Sequence, residues 1–288
     1  TGVKAVLSHA NEDPNQPFVV TSAQLLTGWT DVELNALSVK SLTADQGTVI
    51  NYGDGTFGFI PLANYNGLVT LSYNVDDGQG GLTQATMSLT VDAVNDLPTA
   101  ILLSQSSIAE NNAVGGVVAV LSATDIDTLD ATDRGHGAPF AYALVSGQGD
   151  ADNAKFTIVG DQLKLSEAAN YEAKSSYSIR LQVTDKGGLT YQTFKTITVN
   201  DINEAPTAPV LVLTAINEEA SVTFTEAQLL VNARDVDASN ILHVENLAIA
   251  TGRGALVDHG DGTWTYTPAV NDESSVTFGF DVVDNGTT

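Results

Sequence analysis

One arrangement of residues recurs three times along the chain: a Glu at Glu12, Glu110 and Glu218, an acidic pair 15 to 19 residues later, and an alternating run that ends on an Asp. The pairs are Asp31 with Glu33, Asp125 with Asp127, and Asp235 with Asp237. The alternating runs are Val69, Leu71, Tyr73 and Val75 before Asp77; Tyr177, Ile179, Leu181 and Val183 before Asp185; and Val276, Phe278, Phe280 and Val282 before Asp284. Side chains of an extended strand point alternately to opposite faces, so each run offers one apolar face to a core. A pattern repeated at this interval does not describe one large core. It divides the 288 residues into units of roughly 100, each folding around its own.

Two Pro-containing junctions mark the boundaries, Val94-Asn95-Asp96-Leu97-Pro98 and Asp201-Ile202-Asn203-Glu204-Ala205-Pro206. The expected domains are 1–98, 99–206 and 207–288. Short alternating runs with Gly-rich turns every 8 to 12 residues predict an all-β chain of three tandem antiparallel β-sandwiches in a row. Gly53-Asp54-Gly55-Thr56 and Gly260-Asp261-Gly262-Thr263 separate strand-like runs, and Asp-Gly suits the positive φ angles of a tight hairpin. The outer units share this turn, a Leu-Leu pair (Leu25-Leu26, Leu229-Leu230) and a following Pro, Pro61 or Pro268. The middle unit instead carries the loop Asp150-Ala151-Asp152-Asn153. The first unit runs on from Asp77 to Asp96 through an alternating strand holding Ala85, Met87, Leu89 and Val91, whereas four residues follow Asp284. The third unit is therefore expected to lack its last strand and to expose an unpaired edge.

With 11 basic against 35 acidic residues, the formal charge is −24. Such a field repels nucleic acid and anionic membrane surfaces, so neither is an expected partner. A solvated acidic surface would be the bland account, but acids clustered at repeat-equivalent positions argue for more. There is no Cys, so neither disulfides nor thiolate metal sites hold the fold, and small extracellular domains then need another staple. No apolar run of 18 residues and no signal-like N-terminus is present, and the chain reads as a monomeric segment of something longer.

Calcium is that staple in this reading. It takes six to eight hard oxygen ligands at about 2.3 to 2.6 Å, from carboxylates, amides, backbone carbonyls and water. The D-x-D spacing puts two carboxylates on one side of an extended segment. A single D-x-D arises by chance in any acidic protein, but its recurrence between an upstream Glu and a downstream strand-end Asp is a stronger signal.

The middle unit resembles a cadherin repeat. The residues that carry the resemblance are Ala109-Glu110-Asn111-Asn112, Ala123-Thr124-Asp125-Ile126-Asp127, Asn170-Tyr171-Glu172, Val183-Thr184-Asp185 and Asp201-Ile202-Asn203-Glu204-Ala205-Pro206, in that order. The outer units look like the cadherin-like tandem repeats of large bacterial surface adhesins and RTX-type secreted proteins, through the Leu-Leu, D-x-D/E, GDGT and Asn-Tyr-Asn-Gly signatures. In that family the upstream domain contributes its Glu residues and the linker, and the downstream domain its D-x-D pair and strand-end Asp. The resemblance thus implies a first calcium site of Glu12, Asn66, Asn95, Asp96, Asp125, Asp127 and Asp185. A second would hold Glu110, Glu172, Asp201, Asn203, Glu204, Asp235, Asp237 and Asp284. Asn66 stands where the second set has Glu172, and Ala93 where it has Asp201, so the first set is poorer in charge. Asp31, Glu33 and Asp77 form a half-site at one end, and Glu218 with Glu273 one at the other.

The implied function is a calcium-stiffened extender of an extracellular bacterial adhesin, with neighbouring repeats of the same chain as its partners. The alternative is a module that binds a carbohydrate or protein receptor directly, homophilic contact included. No enzyme is expected: His9, His136, His243 and His259 lack metal-ligand spacing, and no G-x-S-x-G elbow occurs. Trp264 in its alternating run reads as packing, while Trp29 is open between packing and a sugar contact. The Asp150 to Asn153 loop, with Asp130 and Asp133, reads as a solvated loop against an extra ion site. Asn285-Gly286-Thr287 has the form of a glycosylation sequon.

Overall fold

The computed structural model describes residues 7–128, 139–208, 210–237 and 240–285. Asp130, Asp133, His136 and the last two residues of the Asn285 sequon lie outside them. Contacts divide the chain into two compact units. One comprises Thr1–Ser106, Gly115–Glu167 and Ser178–Ile197, the other Ser107–Val114, Ala168–Tyr177 and Thr198–Thr288.

The first unit begins with β1 (Ala10–Asn11), β2 (Phe18–Thr21), the one-turn helix α1 (Ser22–Leu25), β3 (Ser38–Ala44), β4 (Gly47–Asn51), β5 (Thr56–Pro61), β6 (Gly67–Asp76) and β7 (Leu82–Asp92). These form two sheets, ordered β1-β7-β6-β3 and β2-β5-β4. The alternation in β6 lands as expected, with Val69, Leu71, Tyr73 and Val75 buried together with Met87, Leu89 and Val91 of β7 and Phe57 and Phe59 of β5. Register between β6 and β7 is continuous from Gly67 opposite Val91 to Asp76 opposite Leu82. Because side chains alternate faces, a slip of one residue would turn this whole set out of the core.

Further along the chain come β8 (Ala100–Leu103), β9 (Ser107–Ala109), β10 (Val117–Thr124), β11 (Ala141–Leu144), β12 (Phe156–Val159), β13 (Gln162–Leu165), β14 (Ser176–Thr184) and β15 (Thr190–Asn200). In the first unit β12-β13-β10-β8 form an antiparallel sheet, and β11 pairs antiparallel with β14. The second unit takes β9, paired parallel with the end of β15. It continues with β16 (Val222–Thr225), the one-turn helix α2 (Glu226–Leu229), β17 (His243–Thr251), β18 (Gly254–Asp258), β19 (Thr263–Pro268) and β20 (Thr277–Val283). Its sheets are β16-β19-β18 and β17-β20. Phe224, Leu229, Trp264 and Tyr266 are its buried centre, with Phe278 and Phe280 only half-buried beside them. On its side away from β17, β20 meets no strand among the described residues.

Local rules explain the shared signatures of the outer repeats. Each Leu-Leu pair closes a one-turn helix whose start is a capping box: Thr21 with Gln24, and Thr225 with Gln228, exchange side-chain and backbone hydrogen bonds. The turn drives Leu25 and Leu229 into the cores. The GDGT hairpins depart from the sequence reading in one respect. Positive φ falls on the two glycines, Gly53 and Gly55 or Gly260 and Gly262, and not on the Asp between them. Asp54 and Asp261 act through the side chain, accepting from the amide and hydroxyl of Thr56 and Thr263. Trp264 is buried, and Trp29 is half-buried against the first core.

The 150–153 loop is held by the first unit itself. Asp152 Oδ2 accepts from Ser178 N at 2.8 Å, and Asn153 Oδ1 from Arg180 N at 2.8 Å. Leu71→Ala, at the fully buried centre of β6, is expected to cost about 2–5 kcal/mol. Leu68→Ala on the exposed face of the same strand should stay within about 0.5 kcal/mol, with urea unfolding of both variants as the measure.

Candidate metal centre

The same construction appears twice. In the first unit β1 runs parallel to the end of β7, Ala10 opposite Val91 and Asn11 opposite Asp92, and Glu12 N donates to Asp92 O at 3.0 Å. In the second unit β9 runs parallel to the end of β15, Ala109 opposite Asn200, and Glu110 N donates to Asn200 O at 3.1 Å. Both glutamates are 2% exposed. Each carboxylate turns back on the linker: Glu12 Oε1 accepts Val94 N at 2.7 Å, and Glu110 Oε1 accepts Ile202 N at 2.7 Å. A buried carboxylate without such donors would cost several kcal/mol, so these amides are what make the burial tolerable.

The linker residues then meet the D-x-D pair and the strand-end Asp. Asp96 N donates to Asp127 Oδ2 at 2.8 Å, and Glu204 N to Asp237 Oδ2 at 2.9 Å. Asn95 Nδ2 donates to Asp185 Oδ2 at 3.0 Å, and Asn203 Nδ2 to Asp284 Oδ2 at 3.1 Å. Within each pair the second Asp donates its amide to the first, Asp127 to Asp125 at 3.1 Å and Asp237 to Asp235 at 2.8 Å. The first set of sequence-derived residues thus comes together in the first unit, and the second set in the second. Asn66 reaches Glu12 through Nδ2 at 3.4 Å.

The two clusters differ in carboxylate density. Glu110, Glu172 and Asp201 bring carboxylate oxygens within 4.8 Å of one another, and so do Glu172, Glu204 and Asp237. Both such groups found among the described residues are in the second cluster. Asn66 and Ala93 in place of Glu172 and Asp201 account for the difference. Asn95 Oδ1 in the first cluster and Glu204 Oε2 in the second are buried oxygens with no hydrogen-bond donor. Crowded carboxylates with buried, undonated oxygens are a donor set that suits a hard cation.

Electrostatics carry the same sign. Burial pushes Glu12 above the ordinary carboxylate value, helped by the charges of Asp13 and Asp96 and resisted by the hydrogen bonds from Val94 and Asn66. Burial also raises Asp125, with Asp127 and Asp185 adding repulsion. Glu172, though exposed and hydrogen-bonded to its own backbone, is raised by partial loss of solvent and the charges of Glu110, Asp201 and Asp237. Asp201, also exposed, and the half-buried Glu204 are raised by partial loss of solvent and by neighbouring carboxylates, Asp237 and Glu110 among them. At Glu110 burial opposes ionisation, but the amides of Tyr171 and Ile202 win and hold it low.

Two residues here were not among the expected site residues, Asn240 and Asn111, although Asn111 stands in the Ala109–Asn112 motif. Asn240 Nδ2 donates to Asn203 Oδ1 at 2.7 Å and lies 3.4 Å from oxygens of Asp235 and Asp237. Asn111 donates to Glu204. Their signals were the spacing D-x-D-x-x-N and the Asn directly after Glu110. At the ends, Asp31 Oδ1 accepts Asn35 N and Asp77 Oδ1 accepts Gln79 N and Gly81 N, as loop-closing bonds. His9 pairs with Asp92 and His243 with Glu226, both on the surface.

Parallel docking of a Glu-bearing strand beside the terminal strand of a β-sheet, with acids gathered just beyond it, is the construction that both units share. The profile described as cadherin-like domain matches residues 1–92 and 202–288, and the chain belongs to that family. Mouse Protocadherin Fat 2 is 27% identical over 139 residues, which is 46% of this chain and 3% of that protein's length. Among solved structures, Protocadherin Gamma B7 extracellular cadherin domains 1-4 match at TM-score 0.52 and 15% identity, covering 98% of this chain and 74% of that one. The EC3-6 cis-dimer structure of Protocadherin gammaB7 matches at 0.55 and 16%, covering 97% and 75%. These likenesses establish the cadherin-like β-sandwich fold.

The pKa directions set a pH dependence for the metal-free chain. A carboxyl raised on folding binds more protons folded than unfolded, so stability falls as pH climbs through its window above about 4. Glu12, Asp125, Glu172, Asp201 and Glu204 all act this way. Glu110 acts oppositely, its contribution lost only as pH falls below about 4.3. The melting temperature in chelator should therefore drop as pH is raised from about 5 to about 7, which differential scanning calorimetry would show.

Proposed function

We propose that this chain is a calcium-stiffened extender of an extracellular adhesion protein, made of three repeats at residues 1–98, 99–206 and 207–288. The observation that carries the reading is the twice-built cluster, in which a buried Glu, a linker and a D-x-D pair converge with buried oxygens lacking donors. Calcium there would compensate the mutual repulsion of the carboxylates and turn it into cross-linking. Glu12, Asn66, Asn95, Asp96, Asp125, Asp127 and Asp185 would hold the ion of the first junction. Glu110, Glu172, Asp201, Asn203, Glu204, Asp235, Asp237 and Asp284 would hold those of the second, with a higher capacity because of the two carboxylate triads. The Leu-Leu, GDGT and D-x-D/E signatures of the outer repeats support a bacterial surface or RTX-type secreted protein as the parent. No helix among the described residues is long and apolar enough to cross a membrane. The extender role needs no catalysis.

The cis-dimer formed by protocadherin gammaB7 EC3-6 favours a second reading, an adhesion module that contacts a copy of itself or another receptor, protein or carbohydrate. Sedimentation equilibrium and a glycan array separate the two: saturable self-association or glycan binding would replace the pure spacer.

Small-angle scattering with calcium and with chelator tests the extender directly. Calcium should narrow the spread of dimensions, and identical profiles in both conditions would refute the clamp. Extracellular modules bind at Kd of roughly 10⁻⁴ to 10⁻³ M, and calcium at one hundred times Kd should add about 2.7 kcal/mol of stability per site. Isothermal titration of Asp125→Ala should lose only the first junction's binding and Glu172→Ala only the second's. Equal losses from both would break the assignment.

A further inference from the structure

One sheet face of the first unit takes no part in either acidic cluster. Ile179, Leu181 and Val183 of β14 point into the core, so Arg180, Gln182 and Thr184 lie on the opposite side of that strand. Gln192 and Phe194 of β15 are exposed beside them, Phe194 by 56%. On the other flank Ala141 and Ala143 of β11 stand opposite Thr184 and Gln182, and their small side chains leave the face open.

The polar groups of this face are held in place. Arg180 Nε and Nη2 donate to Gln192 Oε1 at 3.3 and 3.2 Å, and Arg180 Nη1 donates to Gln148 O at 3.0 Å. Gln192 Nε2 in turn donates to Gln182 Oε1 at 2.7 Å. The loop carrying Gln148 closes tightly on this row: a Cβ on Gly147 would stand 2.9 Å from Arg180 Nε, and one on Gly149 2.5 Å from Phe194 Cβ. No carboxylate pairs with Arg180 among the described residues, although the chain holds 35 acids. Three of the five guanidinium N–H groups are engaged, so one remains on each terminal nitrogen, as many as a bidentate carboxylate takes.

We propose that this face binds a carboxylate-bearing sugar, a uronic acid unit of a glycan, with the carboxylate on Arg180 and the pyranose ring over Phe194. The proposal rests on the receptor reading, for which it names a ligand class, and is independent of the calcium clamp. An exposed aromatic ring offers an apolar surface to the C–H face of a pyranose, and Gln182, Gln192 and Thr184 add polar groups for its hydroxyls. A peptide strand is a poorer fit, because such a guest draws its affinity from main-chain hydrogen bonds at a sheet edge. Here β14 lies between β11 and β15, so recognition falls to side chains. The net charge of −24 opposes any anion at long range. At 0.15 M salt that field is screened over about 8 Å, and the local contact with a guanidinium decides.

Isothermal titration of the full chain with trigalacturonate and with its methyl ester is the test. The acid should bind at least about tenfold more tightly than the ester, because the ester cannot form the charged bidentate pair. Arg180→Lys keeps the charge but loses the fork, and should weaken binding of the acid at least about fivefold. Phe194→Ala should do the same, at least about fivefold, through loss of the ring contact. The ester comparison uses the unaltered chain and is free of any folding defect in a variant. Equal binding of acid and ester, or a polyglutamate peptide binding as tightly as the sugar, would overturn the proposal. Glycan binding indifferent to both substitutions would overturn this site and leave the receptor reading standing, whereas no binding to any acidic or neutral glycan would remove the glycan receptor as well.

Discussion

Glu12 and Glu110 each sit at the end of a short parallel strand, buried, with a carboxylate that accepts the amide two residues beyond the neighbouring strand's end. That bond fixes where the linker leaves the sandwich. The Asn and acidic residue that follow are thereby carried onto the D-x-D pair and the strand-end Asp. A buried carboxylate is expensive unless donors surround it, so the position tolerates no approximate geometry. The rest of each cluster inherits its placement from this one contact.

The cost of the arrangement is repulsion. Several carboxyls in the clusters are held above their ordinary values by burial and by one another. A fold that gathers like charges at the ends of small cores carries that repulsion in its folded state. With no Cys in the chain, no disulfide offsets it. The two clusters differ in degree, because Asn66 and Ala93 thin the charge of the first. The same backbone design thus carries a denser carboxylate cluster in the second unit than in the first.

Much of the fold was legible. Alternation in β6 and β14 marked the buried faces residue by residue, since a half-buried strand must alternate. The same alternation in β20 was equally clear, yet Phe278 and Phe280 stay half-buried, and on the side away from β17 no strand among the described residues lies beside β20. The GDGT turns were recognised, but the assignment of positive φ to the glycines required the structure. The Leu-Leu pairs looked like mere signatures. They are capped helical turns that plug the cores, which depends on Thr21 and Thr225 starting the turn.

At the clusters, the residue types and their repeat spacing came from sequence, because hard-cation chemistry demands oxygen donors and a β repeat places them periodically. Asn240 and Asn111 were not read as site residues, since an amide three residues after a D-x-D pair or next to a Glu becomes notable only once the structure brings it beside a carboxylate. By itself the sequence determined the β class, the alternation of faces and the identity of the acids, all of which are local properties of short segments. Only the tertiary structure decided that Glu12 and Glu110 are buried and that the residues after β7 and β15 are pinned by their carboxylates. Each of those depends on parallel pairing and packing between segments far apart in the chain, which no local pattern encodes.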